Sequence, residues 1–201
     1  MIGIIFNTYA LYKIFCYEQF GFKKNQFIIF LVFNLLSSVI VFAYIFSCGL
    51  LYFLPYILCA FWLSGVAYAD YVSCNVYEIM EYYAVIPILL SILNIINNGT
   101  SYALPKLGAA LVTVAAYGIM AKAGVFGEGD SDILSAVCIV YFDAYYNCIF
   151  FGLVMVLFVI RNFGYAVKNR VMHGNVRPLV PSIYMGYILM LPFVLGSTPE
   201  S

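Results

Sequence analysis

The chain has 201 residues, of which 65% are hydrophobic and only 9% charged, with nine Lys/Arg, nine Asp/Glu and a formal net charge of zero. A soluble domain carries roughly 25% charged residues because its surface has to stay wet, so a mean hydropathy of +1.00 excludes an ordinary soluble globule. Zero net charge without a basic tract gives a nucleic-acid partner no footing.

Backbone groups in lipid must be satisfied internally, which leaves helices or closed barrels. The apolar runs are continuous, with no charge from Phe27 to Phe46, and lack the alternation of barrel strands. The expected fold is therefore all-α, a polytopic transmembrane helix bundle of about 6–8 spans.

In chain order, the first span covers 1–17. It lacks a basic start and a small-residue cleavage site, so it reads as a retained span and not as a signal peptide. The next spans cover 27–46 and 50–69, and Ser47-Cys48-Gly49 makes the break between them. From Asp70 to Tyr83, Val72, Val76, Ile79 and Tyr83 recur at helical spacing, with Asn75, Glu78 and Glu81 opposite. That pattern predicts an interfacial amphipathic helix with an acidic face. Spans at 82–97 and 103–126 follow, joined by a turn at Asn98-Gly99-Thr100. The run from Ile133 to Ile160 is too long for one span and divides at Asp143-Ala144-Tyr145-Tyr146-Asn147, giving a short helix at 132–143 and a span at 146–163. A polar loop, 161–178, leads through Pro178 and Pro181 into the last span, 179–196. One membrane unit results, with residues 1–49 as two spans of unassigned role and 50–196 as the functional region.

The basic residues orient this layout. With Lys23 and Lys24 in the cytoplasm, Lys13, Lys122, Arg161, Lys168, Arg170 and Arg177 fall on the same side, and only Lys106 falls outside. Without the break near Asp143 the last basic cluster would be stranded outside.

Six of the nine acids then gather on the cytoplasmic side, at helix ends: Asp70, Glu78, Glu81, Glu128, Asp130 and Asp132. Two spans separate Asp70 from Asp130, and two crossings return a chain to the face it left. Two carboxylates sharing a site do not both ionise readily, so one holds a proton while the other stays charged. The charged one can deprotonate water and the protonated one can polarise a peptide carbonyl. Gly127 and Gly129 would leave room for an extended peptide beside Asp130. The plainer role for acids at helix N-termini is capping, and Asp130 and Asp132 suit that as well.

Gly127-Glu128-Gly129-Asp130 resembles the GxGD motif of the intramembrane aspartyl proteases. Its setting is similar to the type IV prepilin peptidases and the archaeal preflagellin peptidases, where an Asp at the cytoplasmic end of one span precedes the GxGD Asp by two spans. Ser131-Asp132-Ile133-Leu134 and the closing Arg177-Pro178-Leu179-Val180-Pro181-Ser182-Ile183-Tyr184-Met185-Gly186-Tyr187 are similar to the family's pattern too. The family's Ile-Pro-Asn-like sequence after the first Asp is replaced by Val76-Tyr77-Glu78. The paired-cysteine domain that adds methylation in bifunctional bacterial enzymes has no counterpart, so no methyltransferase activity is implied.

The resemblance implies an aspartic-type endopeptidase of the cell membrane with its active site facing the cytoplasm. Asp70 and Asp130 would be catalytic, and pilin-like or archaellin-like precursors with short basic leaders would be the substrates. Gly127 and Gly129 would shape the site, and Glu78, Glu81, Glu128 and Asp132 would draw the leader. The alternative is a non-enzymatic small transporter or assembly subunit using the same carboxylates for cations. No metal or cofactor is implied: the six cysteines form no C-x-x-C pair, and His173, the one histidine, is expected in a solvated loop. Asp143 is expected at the outer turn.

Overall fold

The computed structural model describes residues 28, 32, 50–76, 78–97, 100–169 and 178–196. The expected span at 1–17 and nearly all of that at 27–46 lie outside the described residues, as do His173, Arg170 and Arg177. Seven helices are described: α1 Leu50–Ser73, α2 Glu78–Tyr83, α3 Val85–Asn97, α4 Thr100–Lys122, α5 Glu128–Tyr141, α6 Ala144–Asn169 and α7 Val180–Gly196. No strand occurs among the described residues.

Among the described residues, four segments are long and apolar enough to cross a membrane: Phe53–Ser73, Met80–Asn97, Ala103–Lys122 and Ala144–Gly164. They play different parts. Every residue of α1 from Cys59 to Asp70 is buried, and a helix apolar all round belongs at the centre of a bundle. It packs chiefly against α7 and α3, with α4 on the far side of α5 and α6 on α7. Leu89 and Leu93 of α3, and Leu104, Leu111, Val112 and Ile119 of α4, are exposed. In a bilayer these residues would face acyl chains. α5 has 14 residues, a length of about 21 Å at 1.5 Å per residue, and is largely buried.

The helix ends follow from local chemistry. α4 closes in a Schellman motif: Gly124 adopts φ +74°, its N–H bonds to Ala121 O, and Val125 N–H reaches back to Met120 O. Glycine suits that left-handed position because it has no Cβ to clash. α5 ends where Phe142 turns left-handed at φ 48°. Asp143 then caps α6, its Oδ1 accepting from the N–H groups of Tyr145 (3.0 Å) and Tyr146 (3.4 Å). The division expected around Asp143 is thus a two-residue turn with a carboxylate cap.

The continuous amphipathic helix expected over 70–83 does not form. α1 runs on to Ser73, Cys74 takes a left-handed conformation at φ 54°, and the chain turns before α2. Cys74 N–H bonds to Asp70 O across 2.8 Å, closing α1. The short α2 is held by tertiary contact, with Trp62 Nε1 donating to Met80 O at 2.7 Å.

Tyrosines tie α1, α5 and α7 together. Tyr141 of α5 stacks on Tyr187 of α7 with ring centroids 5.2 Å apart. Tyr187 hydroxyl donates to Tyr56 O on α1 at 2.9 Å. Ser91 Oγ donates to Val140 O, linking α3 to α5. Gly186 lets α7 approach α6 so closely that an added Cβ would lie 2.9 Å from Val154 Cγ2, the small-residue contact that brings membrane helices together.

Candidate active site

One end of the bundle collects the C-terminus of α1, the N-termini of α5 and α7, and the latter part of α6. Asp70 sits in the last turn of α1, only 3% exposed. Its Oδ2 accepts the backbone N–H of Val180 at 3.0 Å, so this carboxylate closes the start of α7, 110 residues away in sequence. Among the described residues, the charges of Asp130 on α5 and Arg161 on α6 act on Asp70. The carboxylates of Asp70 and Asp130 are therefore within electrostatic reach of each other.

Asp130 is the third residue of α5. Its Oδ2 accepts Gly127 N–H at 3.3 Å, the return bond of a capping box whose other half is missing because glycine has no side chain. Asp130 thus takes the capping role as well as standing near a second acid. It is half-buried. Burial holds its carboxyl above the usual carboxylate range, and the Gly127 N–H partly offsets that push.

The two glycines have distinct steric reasons. A Cβ on Gly127 would lie 3.3 Å from Asp130 Oδ2, crowding the carboxylate itself. A Cβ on Gly129 would lie 2.9 Å from Val76 Cβ, in the turn that follows α1. That contact ties the GxGD turn to the segment just beyond Asp70. Val76 occupies part of the stretch where the Ile-Pro-Asn-like sequence is replaced.

The remaining acids are more dispersed. Glu128 and Asp132 are exposed on the first turns of α5, and Glu81 is half-buried on α2. The side chain of Glu78 lies outside the described residues. Asp143 is at the opposite end of the bundle, where its Oδ2 pairs with Lys106 Nζ at 3.3 Å. Among the described residues no group of three or more His, Cys, Asp or Glu could hold a metal ion.

Two participants were not picked out from sequence. Arg161 entered there only as a topological charge. Its guanidinium donates through Nη2 to Pro178 O, just before α7. Val180 contributes a backbone amide, which no side-chain pattern reveals, although the Pro178 and Pro181 pair marked a fixed helix entry. Beside these residues lies an apolar cleft of about 410 Å³ between α1, α6 and α7, lined by Tyr71, Leu157, Ile160, Pro181 and Met185 among others.

An arrangement of two acids with a hydrogen-bonded backbone and little bulk around one of them suits acid–base work on a single water. No family model, curated protein or solved structure matches the chain.

Proposed function

We propose that this chain is a membrane aspartyl endopeptidase, similar to the prepilin and preflagellin peptidases, that removes short basic leaders from pilin-like or archaellin-like precursors at the cytoplasmic face. The supporting observation is that the buried Asp70 lies within electrostatic reach of Asp130, although three helices separate theirs along the chain, at an end where Gly127 and Gly129 minimise bulk.

In this reading the ionised carboxylate takes a proton from water as the oxygen attacks the peptide carbonyl carbon. The protonated carboxyl gives its proton to the carbonyl oxygen. Collapse of the resulting gem-diol breaks the C–N bond, and a proton passes to the departing amine. No covalent enzyme intermediate forms and the dyad recovers its single proton. Glu128 and Asp132, exposed nearby, and Glu78 and Glu81 on α2 would raise the local concentration of a basic leader.

The test is cleavage of a leader-bearing precursor by the full chain in liposomes. Wild type is expected to cut, and Asp70→Asn and Asp130→Asn each to lose the activity at normal protein levels. Undiminished cleavage by Asp130→Asn would sink the mechanism. Loss in Asp130→Asn alone would move the partner role from Asp70 to Glu78. Cation flux without cleavage would instead support a transporter.

A further inference from the structure

An arginine within an apolar helix is costly in a membrane and tends to mark function, with a partner close by. Arg161 lies in the apolar segment Ala144–Gly164, half-buried, and touches the candidate site in two ways. Its guanidinium donates to Pro178 O. Two residues later, Val180 donates its N–H to Asp70 Oδ2. One short relay, Arg161 to Pro178 to Val180 to Asp70, therefore fixes where the carboxylate sits. The same guanidinium also acts on Asp70 through its charge.

We infer that Arg161 is the positioning residue of the dyad: it anchors the entry to α7 so that Val180 holds the Asp70 carboxylate, and its charge biases that carboxylate against the repulsion of Asp130. The inference rests on the peptidase reading and names a residue that the GxGD pattern does not contain. The surrounding charges allow this role. Of the helices packed on α1, α3 and α7 carry no charged residue, α5 brings Asp130 (with Glu128 and Asp132 exposed), and α2 carries Glu78 and Glu81. Among the described residues, Arg161 is the cation that acts on Asp70.

The experiment compares wild type, Arg161→Gln and Arg161→Lys, each as full chain in liposomes. Arg161→Gln is expected to lower kcat roughly a hundredfold, the scale of a misplaced catalytic group, with KM changed by less than about twofold. Losing the cation should also move the acid limb of the cleavage profile to higher pH. Arg161→Lys, which restores charge without the planar fork, should bring the limb back and recover most of the rate. A second readout needs no cleavage: the infrared carboxyl band that vanishes in Asp70→Asn should titrate at higher pH in Arg161→Gln than in wild type. Wild-type kcat with an unmoved band in Arg161→Gln overturns the inference. So does an Arg161→Lys variant indistinguishable from Arg161→Gln, since packing alone would then explain the loss. If wild type cleaves nothing, the peptidase reading falls by itself. The band then decides whether Arg161 controls Asp70: movement supports that control, and a fixed band removes it.

Discussion

Asp70 and Val180 are joined by a 3.0 Å hydrogen bond from backbone amide to carboxylate, so the acid at the end of the central helix is also the cap of the last one. The proposed catalytic role of Asp70 and its capping role can be separated by choice of substitution. Asparagine retains an acceptor oxygen for the Val180 N–H, whereas alanine leaves that buried donor unsatisfied, at about 1–3 kcal/mol. Asp70→Asn is expected to unfold at a temperature close to wild type and to cleave no precursor. Asp70→Ala is expected to lose both activity and thermal stability in detergent.

The pH dependence of stability carries a sign fixed by Asp130. Its carboxyl is held above the usual range in the folded protein by burial, so the native state binds this proton more tightly than the unfolded state does. Stability therefore falls as pH rises from the ordinary carboxylate range of about 3.9 through the raised value. Asp130→Asn removes this contribution. It should raise the unfolding temperature at neutral pH relative to wild type, with the difference shrinking towards pH 4, while cleavage is lost. A constant difference across that window would contradict the assignment.

The glycines before Asp130 should respond differently to one added methyl. In Gly129→Ala the new Cβ meets the branch point of Val76 at 2.9 Å, and a branch point next to backbone yields little. Overpacking of this kind costs about 1–3 kcal/mol. Removing the obstruction with Val76→Gly should recover part of the loss, read as a coupling in a double-mutant cycle. In Gly127→Ala the crowded atom is a carboxylate oxygen, which can rotate away. There kcat should fall more than stability.

At the opposite end, Lys106 and Asp143 form a part-exposed ion pair, with side chains 26% and 29% exposed. Such pairs contribute about 0–1 kcal/mol, whereas the cap that Asp143 places on α6 contributes roughly 0.5–2 kcal/mol. Asp143→Asn keeps a capping oxygen and should be nearly neutral, while Asp143→Ala should be clearly less stable by thermal unfolding. Both should cleave precursor at the wild-type rate, because the pair is a helix length away from Asp70.

Several helices from 50 onwards are legible in the sequence because their apolar runs end at visible breakers. Asp143 and the Pro178–Pro181 approach fall at observed helix ends, whereas the span expected over 103–126 stops earlier, at Lys122, just before the left-handed Gly124. The stretch from 70 to 83 was misread for a physical reason. Its apolar spacing is helical throughout, but a left-handed Cys74 interrupts it, and nothing in a cysteine's identity announces that conformation. Topology and the GxGD resemblance together single out Asp70 and Asp130, since two crossings return a chain to the same face. They do not single out Arg161, because its bond goes to a backbone carbonyl from the loop that precedes α7. The centrality of α1 was equally hidden: its apolar residues look no different from those of α4, which is exposed along most of its length.

Trp62 is the chain's single tryptophan, and its indole is 5% exposed with its N–H on Met80 O. Tryptophan fluorescence, excited at wavelengths that tyrosine does not absorb, therefore reports on one junction, between the central helix and the short segment beyond the Asp70 turn. When α2 lifts away, the indole loses its acceptor and its emission changes. A precursor that binds by displacing α2 would announce itself optically, with no label attached.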